Sequence, residues 1–598
     1  MAKDSITISD PDPGSIASKK SSCCSCLTFV LILTIFFVIS ALFFWIAYPY
    51  VFNAIFLSTL RLKVGSDGMP SFSTFMWAKP PVRVLMKFYM WNLTNPEEVF
   101  YYGAKPSVVE IGPFSVWETE QKREYEFNHD QTRVWYKNYK KYIFDESESC
   151  EICTYDAKIS MTNLIGYGTM ADLADPQYNV SNSIRQLFAF GGMLLGESPF
   201  IIKNFGDIVF DGYADNMLSA AHSELVYEVS KALNQTHFNK TTFIPVPVPD
   251  MAKMAFFYGY NNTNDEEYVI ETGKSDIKQL GRIVSWANQT ELPSDWYSTD
   301  QCRMINGTDS GSFQAHGIGK NDRLDIFLSF FCRSLYLEFN RETDVKGVST
   351  YEFVTPMSVF DTTIEENRGM RYPNTEKINY APQWPDCPPK DPNVTCSGDI
   401  DCGVYENLCH DCCDGSFVDD TYLLPPGLFP VKCYPGKFKS PPFTVVFSAP
   451  HYAYSPPELR ETIIGMNPSL PDHIPIKIKY EPNAGVPLEV TIQFQVATPM
   501  YRSPEFVYSS HLANVLLPFM WVSSSGTVEG EVFDNIKLGF KTVPIIILAV
   551  KIFATVAAVF FGVVALGLLW RRRTQNGKVT PVVPSNGRVI EENGLTTV

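Results

Sequence analysis

Two uncharged apolar segments lie near opposite ends of this 598-residue chain, each with basic residues on its terminal side. The first, Leu27 to Tyr48, follows Lys19 and Lys20; the second, Ile552 to Trp570, precedes Arg571, Arg572 and Arg573. At a rise of about 1.5 Å per residue, each can cross a hydrocarbon core of about 30 Å as a helix. If both do, everything between them is one large loop on a single side of a membrane, tethered at both ends. A cleaved signal peptide is the alternative for the first segment. Its apolar stretch exceeds the usual h-region of roughly 7–15 residues and ends in bulky Trp45, Tyr48 and Tyr50, which favours an uncleaved anchor. The expected organisation is a cytoplasmic tail over 1–26, spans over 27–50 and 543–570, an ectodomain over 51–542 and a second cytoplasmic tail over 571–598. Lys551, early in the second span, is expected to snorkel to the interface, with a functional intramembrane lysine as the alternative.

Basic residues near the spans bias their orientation, but Arg61, Lys63, Lys537 and Lys541 occupy the opposite flanks, so charge alone decides little. Glycosylation sequons weigh more. Asn92, Asn179, Asn234, Asn239, Asn261, Asn288, Asn306 and Asn393 all fall in the loop, and neither tail has one. Together with the cysteines they place the loop on an extracellular or lumenal side and both termini in the cytoplasm.

The chain carries a formal charge of −16, and since the tails and Lys551 contribute +4, the loop carries −20. That keeps a large glycoprotein soluble and argues against a nucleic-acid partner. Basic residues do gather at Lys122, Arg123, Arg133, Lys137, Lys140 and Lys141. Their alternation with aromatic residues reads as paired strands more readily than as a binding patch.

Cys23, Cys24 and Cys26 precede the first span, where reduced juxtamembrane thiols are palmitoylation candidates. The other eleven cysteines lie in the loop, crowding from Cys387 through Cys396, Cys402, Cys409, Cys412 and Cys413 to Cys433. Cys409 and Cys412 with His410 admit a zinc or redox reading, but disulfides are the default in an oxidising compartment. An odd total leaves one thiol unpaired or joined to another chain, so a homo-oligomer belongs among the expected partners.

Strand signals dominate both flanks of the loop: Val82 to Met90, Thr132 to Phe144, Phe353 to Val359, Phe443 to Ser448 and Leu488 to Val496. Between them the texture turns helical over Ile159 to Met170, Ile184 to Leu195 and Met217 to Leu233. Helices inserted into a long β framework are the simplest reading, an α+β membrane protein. The second helix is unusually apolar, with Leu187, Phe188, Phe190, Met193 and Leu194 around Gly191 and Gly192. It either packs against its neighbours or leaves part of that face open to apolar ligands.

No catalytic signature is visible. There is no His-Glu-x-x-His run and no Gly-x-Ser-x-Gly elbow, and Gly317 to Lys320 lacks the flanking residues of a phosphate loop. The expectation is a non-enzyme with no cofactor and no metal.

Phe88 to Val99 and Lys105 to Phe114 resemble signature stretches of the class B scavenger receptor family. Glu271 to Gly273, Cys302 to Asp309, Phe331 to Ser334, Lys346 to Val348, Ala449 to His451, Ile463 to Pro468 and Glu481 to Gly485 follow in the family's order across nearly the whole loop. The resemblance implies a β-rich, barrel-like ectodomain with a helical apex, here over 158–240, and an internal hydrophobic tunnel. It also implies partners among lipids, lipoproteins and other lipid-bearing particles, and roles ranging from lipid uptake at the plasma membrane through phagocytic recognition to lysosomal trafficking. By matched motif it implies a Cys332–Cys433 disulfide and a bond from Cys302 into the Cys387–Cys402 cluster. The Cys150/Cys153 pair and the Cys409/Cys412/Cys413 group exceed the family set. A covered apolar path suits such work, because a lipid entering water loses about 0.8 kcal/mol of burial per methylene.

The chain ends Thr596-Thr597-Val598, a pattern that adds a strand to a PDZ domain through Thr596 and Val598. An acidic dileucine is absent, since Thr596 follows Leu595, which favours the plasma membrane over endosome or lysosome.

Overall fold

The computed structural model describes residues 18–174, 180–221, 253–362, 364–373, 378, 380, 421–422, 424–425, 427–439, 441, 444–467, 473–503 and 509–576. Among them, alternation of inward and outward side chains builds one dominant sheet of fourteen strands. Its main path runs Ile283–Trp286, Thr263–Glu271, Arg133–Phe144, Val108–Phe127, Val84–Leu93, Val515–Thr527, Val486–Met500, Ile476–Glu481, Val348–Val354, Arg333–Val345, Leu324–Leu328 and Thr308–Asp309. The two ends of this path meet. The Ile283 N–H donates to the Gly307 carbonyl at 2.9 Å, and Arg282 bridges Thr308. The sheet therefore closes nearly into a barrel, which removes the exposed edges that invite aggregation.

The expected strands are present with shifted ends, and the basic segment is indeed a strand pair, with Lys122 opposite Asn138 and Glu120 opposite Lys140. Phe353 belongs to the strand Val348–Val354, but Pro356 stops it and Met357–Phe360 turn as a 3-10 helix. Val515–Thr527 is a central strand despite Pro518. The register shifts between Val496 and Ala497, so Pro518 sits at a bulge where a missing N–H costs least.

Among the described residues, the helical insertion opens on a strand where the sequence texture implies a helix. Lys158–Thr162 is a strand paired with Phe200–Asn204, because Ile159 and Met161 bury one face in alternation. Helices follow at Leu164–Ala174, Asn182–Leu194 and Asn216–Ala221. The rest of the third expected helix lies outside the described residues.

The chain divides into two units. One comprises residues 57–537 and holds the sheet and its insertion; the other comprises the terminal segments to Phe56 and from Leu538. In the second unit, apolar helices long enough to cross a membrane run over Cys26–Leu60 and Gly530–Thr574, extending into the first unit at their inner ends. Both are lipid-like on their surfaces, with few buried residues. They pack side by side: Phe37 stacks on Phe561 at 5.6 Å and meets Phe553 edge-on at 5.9 Å. The Trp45 indole N–H donates to Thr555 Oγ1 at 3.1 Å, and Lys551 Nζ lies 5.0 Å from the same ring. Lys551 thus has a cation–π partner on the neighbouring helix.

Candidate functional site

Inside the sheet, phenylalanines from strands (Phe88, Phe114, Phe429, Phe447, Phe494) and from the connections between elements (Phe205, Phe257, Phe330, Phe331) touch in series. Phe114 stacks on Phe205 at 4.2 Å, and Phe205 meets Phe88 at 5.8 Å. Phe88 contacts Phe257, which stacks on Phe330 at 5.4 Å. Phe330 and Phe331 both reach Phe494, and Phe494 continues to Phe447 and Phe429. Met86, Met90, Met254 and Met520 fill the gaps as adaptable thioethers. This column crosses the interior from the foot of the helical insertion, where Leu164, Ile165, Met217 and Leu218 join the same cluster.

The helix Asn182–Leu194 presents the opposite situation. Ala189 is buried, but Phe190 is 54% exposed, Met193 49% and Leu194 69%, and Leu195 beyond it is exposed as well. The described part of this face is open rather than packed. Leu187 and Phe188 lie on the same helix, with side chains outside the described set. Below it, Glu197 accepts a hydrogen bond from Asn163 Nδ2 at 2.6 Å. Burial, reinforced by the nearby Asp215, raises the Glu197 carboxyl to about 7.

A second interior region is polar. Lys122 is fully buried, its ammonium 2.5 Å from Glu120 Oε1. Tyr136 and Asn138 donate to Asp309 Oδ2 at 2.8 and 3.0 Å, and Tyr268 and Ser329 donate to Asp265 Oδ2, both at 3.0 Å. Burial, with Asp309 and Glu120 adding to it, outweighs the attraction of Lys140 and raises Asp265 to about 7. Burial likewise raises Asp309. Burial would raise Glu120 too, but Lys122 and Lys140 outweigh it and hold this carboxyl below its ordinary value. Of these residues the sequence marks only Lys122 and Lys140, as members of the basic strand pair; Asp265 and Asp309 come from distant strands and carry no local signal.

A third constellation surrounds the Ala449-Pro-His451 motif. His451 Nε2 lies 2.8 Å from Glu110 Oε2, which also accepts the Trp521 indole N–H at 3.0 Å. His451 stacks on His473 at 4.4 Å, and its backbone N–H donates to Gln495, which also holds the Trp91 indole. Burial would raise Glu110, yet these donors keep it below its ordinary value. The motif here anchors a loop against the sheet. On the protein's surface, a polar cleft of about 400 Å³ is lined by Asn128, Thr132, Arg133, Glu271, Ser275, Asp276 and Gln279, too polar for an acyl chain.

Cys332 and Cys433 form a disulfide with Cα atoms 6.0 Å apart, and Cys150 and Cys153 form another. Cys302 is buried with its thiol 3.4 Å from the Glu366 carbonyl. Its expected partners Cys387, Cys396 and Cys402 lie outside the described residues. Cys26 is exposed on the helix Ser18–Leu42, which also contains Cys23 and Cys24. Among the sequons, Asn261 and Asn288 are exposed, whereas Asn92 and Asn306 are partly buried. Asn306 donates to Asp325 at 2.8 Å and accepts from Arg282 at 3.0 Å. Asn179, Asn234, Asn239, Asn393, Thr596 and Val598 lie outside the described residues. No cluster of metal-ligating side chains occurs among those described.

Comparison with known proteins agrees with this architecture. The CD36 family model matches residues 29–569. An uncharacterized protein of Caenorhabditis elegans is 38% identical over 516 residues, covering 86% of this chain and 92% of its own length. Human lysosome membrane protein 2 is 25% identical over 504 residues, 84% of this chain and 86% of its own. Pig scavenger receptor class B member 1 is 24% identical over 465 residues, 78% and 75% respectively.

Proposed function

This chain belongs to the CD36 family, and from that membership we propose that it is a class B scavenger receptor that captures lipid-bearing particles and moves apolar cargo through its ectodomain. The observation that carries the reading is the exposed face of Phe190, Met193 and Leu194 above an interior built of touching phenylalanines. The first feature suits an apolar particle surface. The second suits an acyl chain or sterol, because rings and thioethers can swing aside without leaving any hydrogen bond unmade. A tunnel of the kind the family resemblance implies would follow this column. Lipid passing there stays out of water, where each exposed methylene costs about 0.8 kcal/mol. In this reading both termini are cytoplasmic, the eight sequons carry glycans, Cys23, Cys24 and Cys26 are acylated, and the C-terminal valine engages a PDZ-domain protein at the plasma membrane.

The test has two parts. Mass spectrometry of lipids co-purifying with the full-length protein identifies cargo directly. Uptake of fluorescently labelled lipoprotein by cells expressing the chain should fall with Leu194→Glu, with surface abundance unchanged. Unchanged uptake in that variant together with no bound lipid would defeat the proposal.

A lysosomal trafficking receptor is the second reading. It is favoured by the lysosome membrane protein 2 relatives, which cover more of this chain than the class B member 1 relatives do. Glu197 and Asp265, both raised to about 7, would then register the acidity of that compartment. Steady-state localisation of the full chain, with and without Val598, separates the two.

A further inference from the structure

The junction between the first span and the sheet has a feature that lipid capture at the helical insertion does not use. Helix Phe72–Ala78 buries Thr74, Trp77 and Ala78 against the domain. Its other face carries Phe72, 66% exposed, and Phe75, 54% exposed, three residues apart and therefore side by side. Met69, 65% exposed, joins them from the preceding turn. Three large apolar side chains on one small solvent-facing element call for a partner.

The position of the element says which. Ser73 Oγ donates to the Thr59 carbonyl, in the last turn of the helix Tyr48–Leu60 that continues the first span. Leu62 N–H donates to Thr272 O at 3.1 Å, and Thr74 Oγ1 donates to Lys63 O at 2.9 Å, which fixes the connecting residues rigidly against the sheet. The tether to the second span leaves from the same end. Leu85 is opposite Ser525 in the paired strands Val84–Leu93 and Val515–Thr527, so the chain enters one strand and leaves the other side by side. The charge is local and of the right kind. Arg61, Lys63, Lys79 and Arg83 flank the patch against a single acid, Asp67, in a loop that carries −20 as a whole.

We propose that Met69, Phe72 and Phe75 form an interfacial foot that inserts into the outer leaflet of the bilayer the chain itself spans, with Lys63 and Lys79 at the headgroups. Short amphipathic elements of this composition bind at the level where headgroups meet acyl chains. This rests on the reading that Cys26–Leu60 crosses the membrane, and the experiment tests that premise separately.

In the full-length protein, reconstituted in nanodiscs of phosphatidylcholine doped with an alkyne-tagged phosphatidylcholine, photoreactive benzoylphenylalanine replaces one residue at a time at Phe36, Phe72, Phe75 and Tyr102. These substitutions keep an aromatic ring at an exposed position, so folding is preserved. Phe36 reports the span. Tyr102, 82% exposed, reports background, since the ten-residue strand Val84–Leu93 separates it from the junction by about 30 Å. After illumination, lipid adducts at Phe72 and Phe75 should approach those at Phe36 and exceed those at Tyr102 several-fold. Adducts at Phe36 with only background at Phe72 and Phe75 would overturn the foot. So would cross-links from Phe72 and Phe75 to a second protein chain in place of lipid. Background at Phe36 would remove the two-span premise and the foot with it.

Discussion

Phe494 touches Phe330, Phe331 and Phe447, whereas Lys122, inside the same sheet, faces Glu120 and the rings of Trp77 and Tyr136. The two regions are equally hidden from water but respond differently to change. A ring in the aromatic column is held by dispersion and burial, which are non-directional, so a neighbour of different shape can take its place. A charge in the polar network is held by a few partners at fixed distances, and removing one leaves the others under-compensated. The column can therefore rearrange while the network keeps the strands in register, the combination that the proposed passage of lipid would require.

The largest effect that would sharpen this contrast is expected from Lys122→Met. It keeps the volume but removes the nearer of the two lysines that face Glu120, together with the charge that faces Asp309, and should cost about 3 kcal/mol of stability. Thermal unfolding of the full-length protein in nanodiscs measures it, and a neutral result would mean that the network is no more specific than the column.

The next effect is a dependence on pH. Asp265 holds its proton up to about 7 in the folded protein, while in the unfolded chain an aspartate releases it near 4. Between those values the folded state binds the extra proton, so stability rises as pH falls from 7.5 to 5.5, by about 1–2 kcal/mol. Asp265→Asn should flatten that rise. Glu197 contributes with the same sign but is half-exposed, so solvent screening reduces its share. A melting temperature that falls over this range would reverse the argument.

Phe494→Leu, inside the column, should cost only about 1 kcal/mol, because the change conserves apolar character and its neighbours can shift. A loss as large as that of Lys122→Met would show the column to be rigid. Leu194→Glu on the exposed helix should change stability by less than about 0.5 kcal/mol. Its consequence should appear in particle binding.

The strand framework was largely legible. Val84–Leu93, Arg133–Phe144 and Val486–Met500 carry period-two alternation, which depends only on local geometry. Lys158–Thr162 reads as helix because Met161 stands three and four residues before Leu164 and Ile165, a helical spacing, and only pairing with Phe200–Asn204 reveals the strand. Val515–Thr527 was missed because Pro518 looks disqualifying until the bulge at Phe519, beside it, is seen. Of the candidate sites, the exposed helix and the disulfide Cys332–Cys433 were named in advance, the second by resemblance to a family. The polar network and the foot were not.

What the sequence determined on its own were properties set by composition along short stretches. These are two segments apolar enough to span a bilayer, an acidic loop between them, alternating strands and family motifs in order. Tertiary structure alone decided which residues meet. Asp265 and Asp309 became neighbours with raised carboxyls, Phe88 and Phe494 parts of one column, and Phe72 an exposed ring near the last turn of the helix Tyr48–Leu60. The physical reason is distance along the chain. Periodicity reports which way a side chain points, but what it then faces depends on strands hundreds of residues away.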